Sequence, residues 1–283
     1  MSRGVCGPSA LPRRPARSYA GGMHLLAGKS GLVIGVANER SYAWHIAKAL
    51  SDHGATCAFT HLPGDRNAHR VKRSLTEMGK PDAWLQPLDA SSDADIEAVF
   101  AKYGQDFPRL DFVIHSIAFA ERDLLQPGKF VTTPRAQYLS AIDISAYTLV
   151  AFARAAKPLM QRNGGGSILS MSYYGAEKVV PGYNIMGVAK AALECTNRYL
   201  ANELGADGIR VNCISGGYLR TLASSAVGGT EKMADAVSEH APLRRGVEGS
   251  DVGKTAVYLC SDLASGVTGE TIYVDCGVNI LGA

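Results

Sequence analysis

Nowhere does the chain string together the roughly 18 apolar residues that a membrane-crossing helix needs, so no membrane span is expected. An excess of one charge is missing too. The 29 Lys and Arg stand against 26 Asp and Glu, a formal net charge of +3, too small to point to nucleic acid. Cysteine is sparse and unpatterned: Cys6, Cys57, Cys195, Cys213, Cys260 and Cys276 form no CxxC and keep no regular spacing. They read as small reduced residues of apolar segments such as GATCAFT and RVNCIS, with neither a disulfide framework nor a metal site. The first 22 residues lack any acidic side chain and any apolar stretch of the secretory kind. Rich in Pro, Gly and Arg without amphipathic periodicity, they are expected to be a disordered extension, or to reflect an upstream start codon, rather than a targeting peptide.

What is present is a globular composition, 46% hydrophobic and 19% charged over 283 residues, with enough apolar side chains for a sizeable core. From residue 31 strand-like and helix-like segments alternate. Apolar runs occur at 31–37 (GLVIGVA), 55–60 (ATCAFT), 83–89 (AWLQPLD), 110–118 (LDFVIHSIA), 166–172 (GSILSMS), 209–215 (IRVNCIS) and 270–275 (ETIYVD). Runs that are apolar almost throughout indicate strands buried on both faces. Between them lie helical stretches: 41–53, with Ala43, Ile46, Ala47 and Leu50 at helical spacing and Gly54 as the stop, a long one through 134–162, and 182–204. Seven strands with intervening helices predict an α/β fold, one doubly wound parallel sheet of Rossmann type, in a single domain over 23–283.

In such a sheet ligands bind at the carboxyl ends of the strands, and the first turn offers a helix N-terminus to phosphate. Here that turn reads GVANERSYAWHIA, with Gly35 free to turn sharply and Ser41 as N-cap, followed by Tyr42. It is not GxGxxG, since His45 stands where a third glycine would fall, and by itself it is equally an ordinary strand–helix turn. The acid that ends the second strand of many dinucleotide sites is absent; Thr60, His61 and Leu62 stand there, with Arg66 beyond. Asp89 and Ala90 end the third strand at the position of an adenine contact. Ser116, Ile117 and Ala118 follow the fourth with small side chains, and Ala120 lies just beyond. His115 reads as a structural polar residue rather than a base.

The stretch 173–194, YYGAEKVVPGYNIMGVAKAALE, carries Tyr183 and Lys190. Seven residues at about 100° each give nearly two helical turns, so on one helix the pair shares a face about 10 Å apart. The position four after Tyr183 is Gly187, which has no side chain to offer, and Met186 and Tyr173 would face the same cleft. As a bare pair, a Tyr and a Lys at this spacing read as a solvated helix face before they read as a catalytic pair.

Read together, these residues resemble the divergent branch of the short-chain dehydrogenases/reductases that holds the NADH-dependent enoyl-acyl-carrier-protein reductases. That branch uses Tyr-x6-Lys with a second tyrosine ten residues upstream. The resemblance runs from about residue 25 to 283 through GVANERS, HSIAFA, RVNCIS, RTLASS and the segments PLRRGV, DVGKTAVYLCSDLASGVTGE and VDCG in order. It implies hydride delivery from NADH, with NADPH less favoured, to a trans-2-enoyl thioester on acyl carrier protein, the last step of a fatty-acid elongation cycle. It implies Tyr183 as hydrogen-bond donor to the thioester oxygen, Lys190 on the nicotinamide ribose, and Tyr173 shaping the thioester pocket. Gly35, Ser41, Tyr42, Leu62, Asp89, Ala90, Ser116, Ile117, Ala118, Leu219 and Thr221 would contact the cofactor; Ala120, Met186 and Leu222 would line the acyl channel under a lid at about 217–240. A cytoplasmic homotetramer follows from the same resemblance, with 134–162 and 182–204 as interface candidates.

Four positions depart from the branch's usual pattern: Tyr42 for Ile and His45 for Gly beside the pyrophosphate, Tyr218 for Pro after the sixth strand, and Leu62 for a polar residue. The run of basic residues that follows the lid in the branch is also thin here, with Lys232 among acids until Arg244 and Arg245, leaving Arg220 as another carrier contact. A coenzyme A thioester, a carbonyl substrate on the same fold, and a nucleotide-binding paralogue without catalysis all remain open at this point.

Overall fold

The computed structural model describes residues 24–219 and 239–282. The expectations for residues 1–22, Arg220, Thr221, Leu222, Lys232 and most of the lid lie outside these residues.

Seven parallel strands form one sheet: β1 (Ser30–Ile34), β2 (Thr56–His61), β3 (Leu85–Pro87), β4 (Phe112–His115), β5 (Gly166–Ser172), β6 (Ile209–Gly216) and β7 (Thr271–Val274). Their order is β3-β2-β1-β4-β5-β6-β7. Side chains alternate between two apolar cores because a strand's period is two. Val33, Ile114, Leu169 and Ile214 face one core, where they meet α1 (Tyr42–Asp52) and α7 (Gly249–Cys260), the latter numbered among the described residues. Leu32, Val113, Ile168 and Val211 face the other, against α3 (Asp93–Asp106), α5 (Thr148–Gln161) and α6 (Ile185–Leu204). Two further helices, α2 (Asp65–Glu77) and α4 (Arg135–Ile142), complete the described set. This double burial is why the strands read as apolar throughout.

The long helical stretch is α4 and α5 joined by a π-helical turn at Asp143–Tyr147. By length and composition 135–161 passes for a membrane span, which counting uninterrupted apolar residues overlooks. Half of its most apolar window is buried within the protein, with Leu149, Phe152, Ala156 and Met160 in the core.

Helix α1 forms as its sequence suggests. The Ser41 hydroxyl accepts from Trp44 N at 3.3 Å, Ala43, Ile46, Ala47 and Leu50 are buried, and Gly54 leaves the helix with φ 91°. His45, expected beside a pyrophosphate, is instead part of the contact between α1 and α7. A Cβ built on Gly249 would lie 2.1 Å from the His45 ring, and one on Gly253 would lie 2.8 Å from the His45 carbonyl oxygen. The imidazole that replaces a glycine in one helix is therefore housed by Gly249 in the other, while Gly253 admits the His45 backbone. Gly249→Ala is expected to destabilise the chain by about 1–3 kcal/mol through overpacking, and His45→Ala to absorb most of that cost. Urea unfolding of the two single variants and the double variant measures this; additive effects would separate the two residues.

Candidate active site

The strand order runs outward in opposite directions from β1 and β4, and such a switch point leaves a crevice at the carboxyl ends. A cleft of about 550 Å³ lies there, running from the end of β2 to α6. Gly35, Ser41, Tyr42, Leu62, Asp89, Ala90, Ser116, Ile117, Ala118 and Leu219 all line it, and so do Ala120, Tyr173, Tyr183, Met186 and Lys190. All of the catalytic, cofactor and substrate contacts that the resemblance implies among the described residues thus reach one cavity.

The first turn is shaped by a steric requirement. Gly35 has φ 107°, and a Cβ there would stand 2.1 Å from the Ser116 carbonyl oxygen, so only glycine lets β1 pass the end of β4 into the turn. Beyond it Ser41 caps α1 and donates its own proton to Asn38 O at 2.7 Å. The Tyr42 hydroxyl donates to the Gly217 carbonyl, and its ring fills the space in which a Cβ on Gly216 would come within 2.9 Å. Tyr42 thereby joins the start of α1 to the end of β6. At the other end, Asp89 accepts from Ser91 N at 2.9 Å and Ser91 Oγ at 2.7 Å; these bonds favour the carboxylate and hold it below the usual range. Arg66 does not line the cleft, whereas Arg70, one helical turn later, does. Arg70 Nη2 donates to Asn67 Oδ1 at 3.0 Å, and the four-residue repeat of α2 was the signal available for it.

Tyr183 does not sit on the helix that carries Lys190. Helix α6 begins at Ile185, and Asn184 intervenes with φ 46° and ψ −120°, a strained conformation for a residue with a Cβ. Two bonds hold it there: Asn184 Nδ2 donates to Leu124 O at 2.7 Å and to Gln126 O at 2.8 Å. The two-turn estimate drawn from the spacing therefore does not apply. Tyr183 is set by this turn and by Tyr173, whose ring meets it edge to face at a centroid distance of 4.9 Å. Lys190, buried on α6, donates from Nζ to the Met171 carbonyl oxygen at 2.6 Å.

The comparisons with known proteins bear on this geometry. The model of the enoyl-(acyl carrier protein) reductase family matches residues 35–279. An enoyl-acyl-carrier-protein reductase [NADH] of Nostoc sp. is 50% identical over 258 residues, covering 91% of this chain and 98% of the relative. The Bacillus cereus reductase of the same description is 47% identical over 260 residues, 92% of this chain and all of the relative. The crystal structure of the Bacillus cereus enzyme with NADP+ and an indole naphthyridinone superposes with a TM-score of 0.87 at 47% identity, over 92% of this chain and 99% of that one. The Anaplasma phagocytophilum enzyme, solved with NAD, gives 0.85 at 44%, over 92% and 97%. The chain belongs to the enoyl-(acyl carrier protein) reductase family.

Burial sets the proton states of this family member's cleft. It pushes the Lys190 amine down to about 8, against the opposing pull of the Cys213 and Glu194 sites. It pushes the Tyr173 phenol up to about 12 and raises Tyr183 further, so both tyrosines are O–H donors at neutral pH. His115 donates or accepts at Nε2 with Thr148 Oγ1 at 2.8 Å; burial and the nearby Lys190 push it down to about 3, leaving it neutral and structural.

Several contributors escaped sequence reasoning. Ser145, in the π turn, accepts from Phe119 N at 3.0 Å and lies 3.9 Å from Met186 Sδ; nothing in the string forecasts a π turn. Val180, Leu125 and Ile144 line the same end of the cleft. Gly187 has a packing reason beyond its missing side chain, because a Cβ there would lie 2.7 Å from the Gly175 carbonyl oxygen. It lets α6 close on the turn after Tyr173, and Gly175 in turn abuts the Tyr183 ring. Gly187→Ala is expected to lower stability by about 1–3 kcal/mol and to depress turnover more than cofactor binding, because the displaced turn carries Tyr173. Thermal melts with steady-state kinetics check this; unchanged turnover would remove the positioning role.

Proposed function

We propose that the chain reduces the carbon–carbon double bond of a trans-2-enoyl thioester carried on acyl carrier protein, with NADH as the reductant. The observation that carries the reading is the convergence of Tyr173, Tyr183 and Lys190 on one end of a cleft whose other end is the Gly35 turn. The residues fit a dinucleotide on structural grounds. The Gly35 turn leaves no room for a Cβ, the capped N-terminus of α1 opens on the cleft and suits phosphate, and Asp89 stands at the far wall. Gly35, Ser41, Tyr42, Leu62, Asp89, Ala90, Ser116, Ile117, Ala118, Leu219 and Lys190 would hold it, and Thr221 belongs to the same proposal. Once bound, the nicotinamide would supply a hydride to the β-carbon of the thioester, and a proton taken up from solvent at the α-carbon would complete the reduction.

The chain's own residues deal with the charge that results. As the β-carbon is reduced, negative charge develops on the thioester oxygen, and a donor fixed at that oxygen stabilises it. Tyr183, kept protonated by burial, is that donor, and Tyr173 holds its ring and shapes the pocket. Lys190, anchored on Met171 O, would hold the ribose hydroxyls and add positive potential at the same place. Met186 and Ala120 would line the acyl path, and Leu222 belongs to the same proposal.

Curated relatives carry NADH in their names, and no basic pair ends β2, which supports NADH over NADPH; Arg70 is the residue that would receive a 2′-phosphate. Exposed Tyr138, Leu139 and Tyr147 around α4, with Tyr199 on α6, support assembly into a homotetramer, and a cytoplasmic location accompanies this reading. Light scattering is expected to show about four times the 29.9 kDa chain mass; a monomer would reject the assembly.

The function is tested by following NADH oxidation with a crotonyl thioester of acyl carrier protein. Tyr183→Phe is expected to lower kcat by roughly 10²–10³, the usual effect of removing one oxyanion donor. Lys190→Ala should weaken cofactor binding and turnover together. For the wild type, kcat/KM should fall above pH about 8 as the Lys190 ammonium loses its proton. Equal rates in all three proteins, or faster turnover with NADPH, would reject the corresponding assignment.

A further inference from the structure

Behind the cleft, α6 covers the ends of β5, β6 and β7 through a polar layer rather than an apolar one. Register and strand parity bring Ser170 and Ser172 of β5, Cys213 and Ser215 of β6, and Thr271 and Tyr273 of β7 onto one face. It is the face that carries Ile168 and Val211, turned toward α6. From α6, Lys190 and Glu194 reach into this layer one helical turn apart. Lys190 Nζ donates to Met171 O at 2.6 Å, and the Ser172 hydroxyl donates to Glu194 Oε1. Two consecutive residues of β5 are thus gripped by one cation and one anion of the same helix, directly before Tyr173.

Glu194 is only 6% exposed, as is Lys190. An amide side chain would accept the Ser172 hydrogen bond equally well, and burying a carboxylate is costly. A purely structural role therefore does not account for the acid. Burying an ammonium is costly as well, unless a charge of opposite sign compensates it.

We propose that Glu194 is a positioning residue for the reduction, its carboxylate fixing the junction of β5 with Tyr173 through Ser172 and keeping the buried Lys190 in its ammonium form. The proposal rests on the roles given to Tyr183, Tyr173 and Lys190 above. The other titratable groups facing Lys190 are His115 of β4 and Cys213 of β6, with Tyr183 lining the same cleft. Each is neutral near pH 7, with the Cys213 thiol pushed up to about 12 by burial and His115 pushed down to about 3. Glu194 itself is faced by Glu177, Arg198, Tyr183 and Tyr273 besides Lys190 and Cys213. Its carboxyl is raised by burial and drawn back down by the Ser172 bond, Arg198 and Lys190.

The test is a direct titration of Lys190 in the full chain, using lysine labelled with ¹³C at Cε and the signal assigned with Lys190→Arg. Glu194→Gln keeps an acceptor for Ser172 and removes the charge. Its Lys190 midpoint is expected about 1 pH unit lower, the scale on which a neighbouring charge moves a buried group, and the alkaline limb of kcat/KM should move with it. Glu194→Asp, which retains the charge, should keep the midpoint near the wild-type value and carries the test if the glutamine variant fails to fold. Ser172→Ala leaves the charge in place and should raise the KM for the thioester several-fold without moving the midpoint. An unmoved midpoint in Glu194→Gln, or one that falls as far in Glu194→Asp, overturns the electrostatic role; an unchanged KM in Ser172→Ala overturns the anchoring role. A wild type that fails to reduce the thioester would count against the proposed function, while the titration would still decide the place of Glu194.

Discussion

The hydrogen bond from Lys190 to the Met171 carbonyl ties the chemistry of this protein to its scaffold. Met171 belongs to a strand paired on both sides within the sheet, so the carbonyl has little freedom to move. An ammonium anchored on it is held in place by the sheet. The cleft's other elements depend on the same strand end. Tyr173 follows it by two residues, and Tyr183 is oriented by Tyr173 and by the turn that Asn184 closes. Moving β5 by one residue would turn the side chains of Ser170 and Ser172 to the opposite face of the sheet and displace the carbonyl that holds Lys190.

Close approach of backbones is the second constraint, and glycine supplies it where it matters. At Gly35 the chain passes under the Ser116 carbonyl, and at Gly187 the helix closes on Gly175. These two contacts bracket the cleft, one at its phosphate-suited end and one at its tyrosine end. The same logic explains an oddity of this family member. A histidine where glycine is common is tolerated because α7 contributes the missing space at Gly249, and Tyr42 is accommodated against Gly216 at the end of β6.

Legibility of the sequence varied with the range of the interactions involved. The segment 166–172 is a strand over the span that its apolar run suggests, because burial on both faces leaves a local mark. The third strand is shorter than its apolar run, only Leu85–Pro87, since it lies at the sheet edge with one partner. Helix α1 was legible from cap to C′ glycine. The Tyr183 turn was not: seven residues of helical spacing look the same whether or not Asn184 breaks the helix, and that break is held by carbonyls of residues about 60 positions away. Arg70 and Ser145 were missed for related reasons, one hidden on a surface helix and the other placed by a π turn.

By itself, the sequence determined the alternation of strands and helices, the single parallel sheet, and the set of residue types gathered at strand ends, because these follow from local periodicity, caps and the rule that ligands meet parallel sheets at their carboxyl edge. The tertiary structure alone decided how those residues face one another. It separated Tyr183 from the helix of Lys190, turned His45 away from the cleft, brought Arg70 rather than Arg66 into it, and buried Glu194 behind Lys190. Each of these depends on contacts between segments distant in sequence, whose geometry comes from packing and not from spacing along the chain.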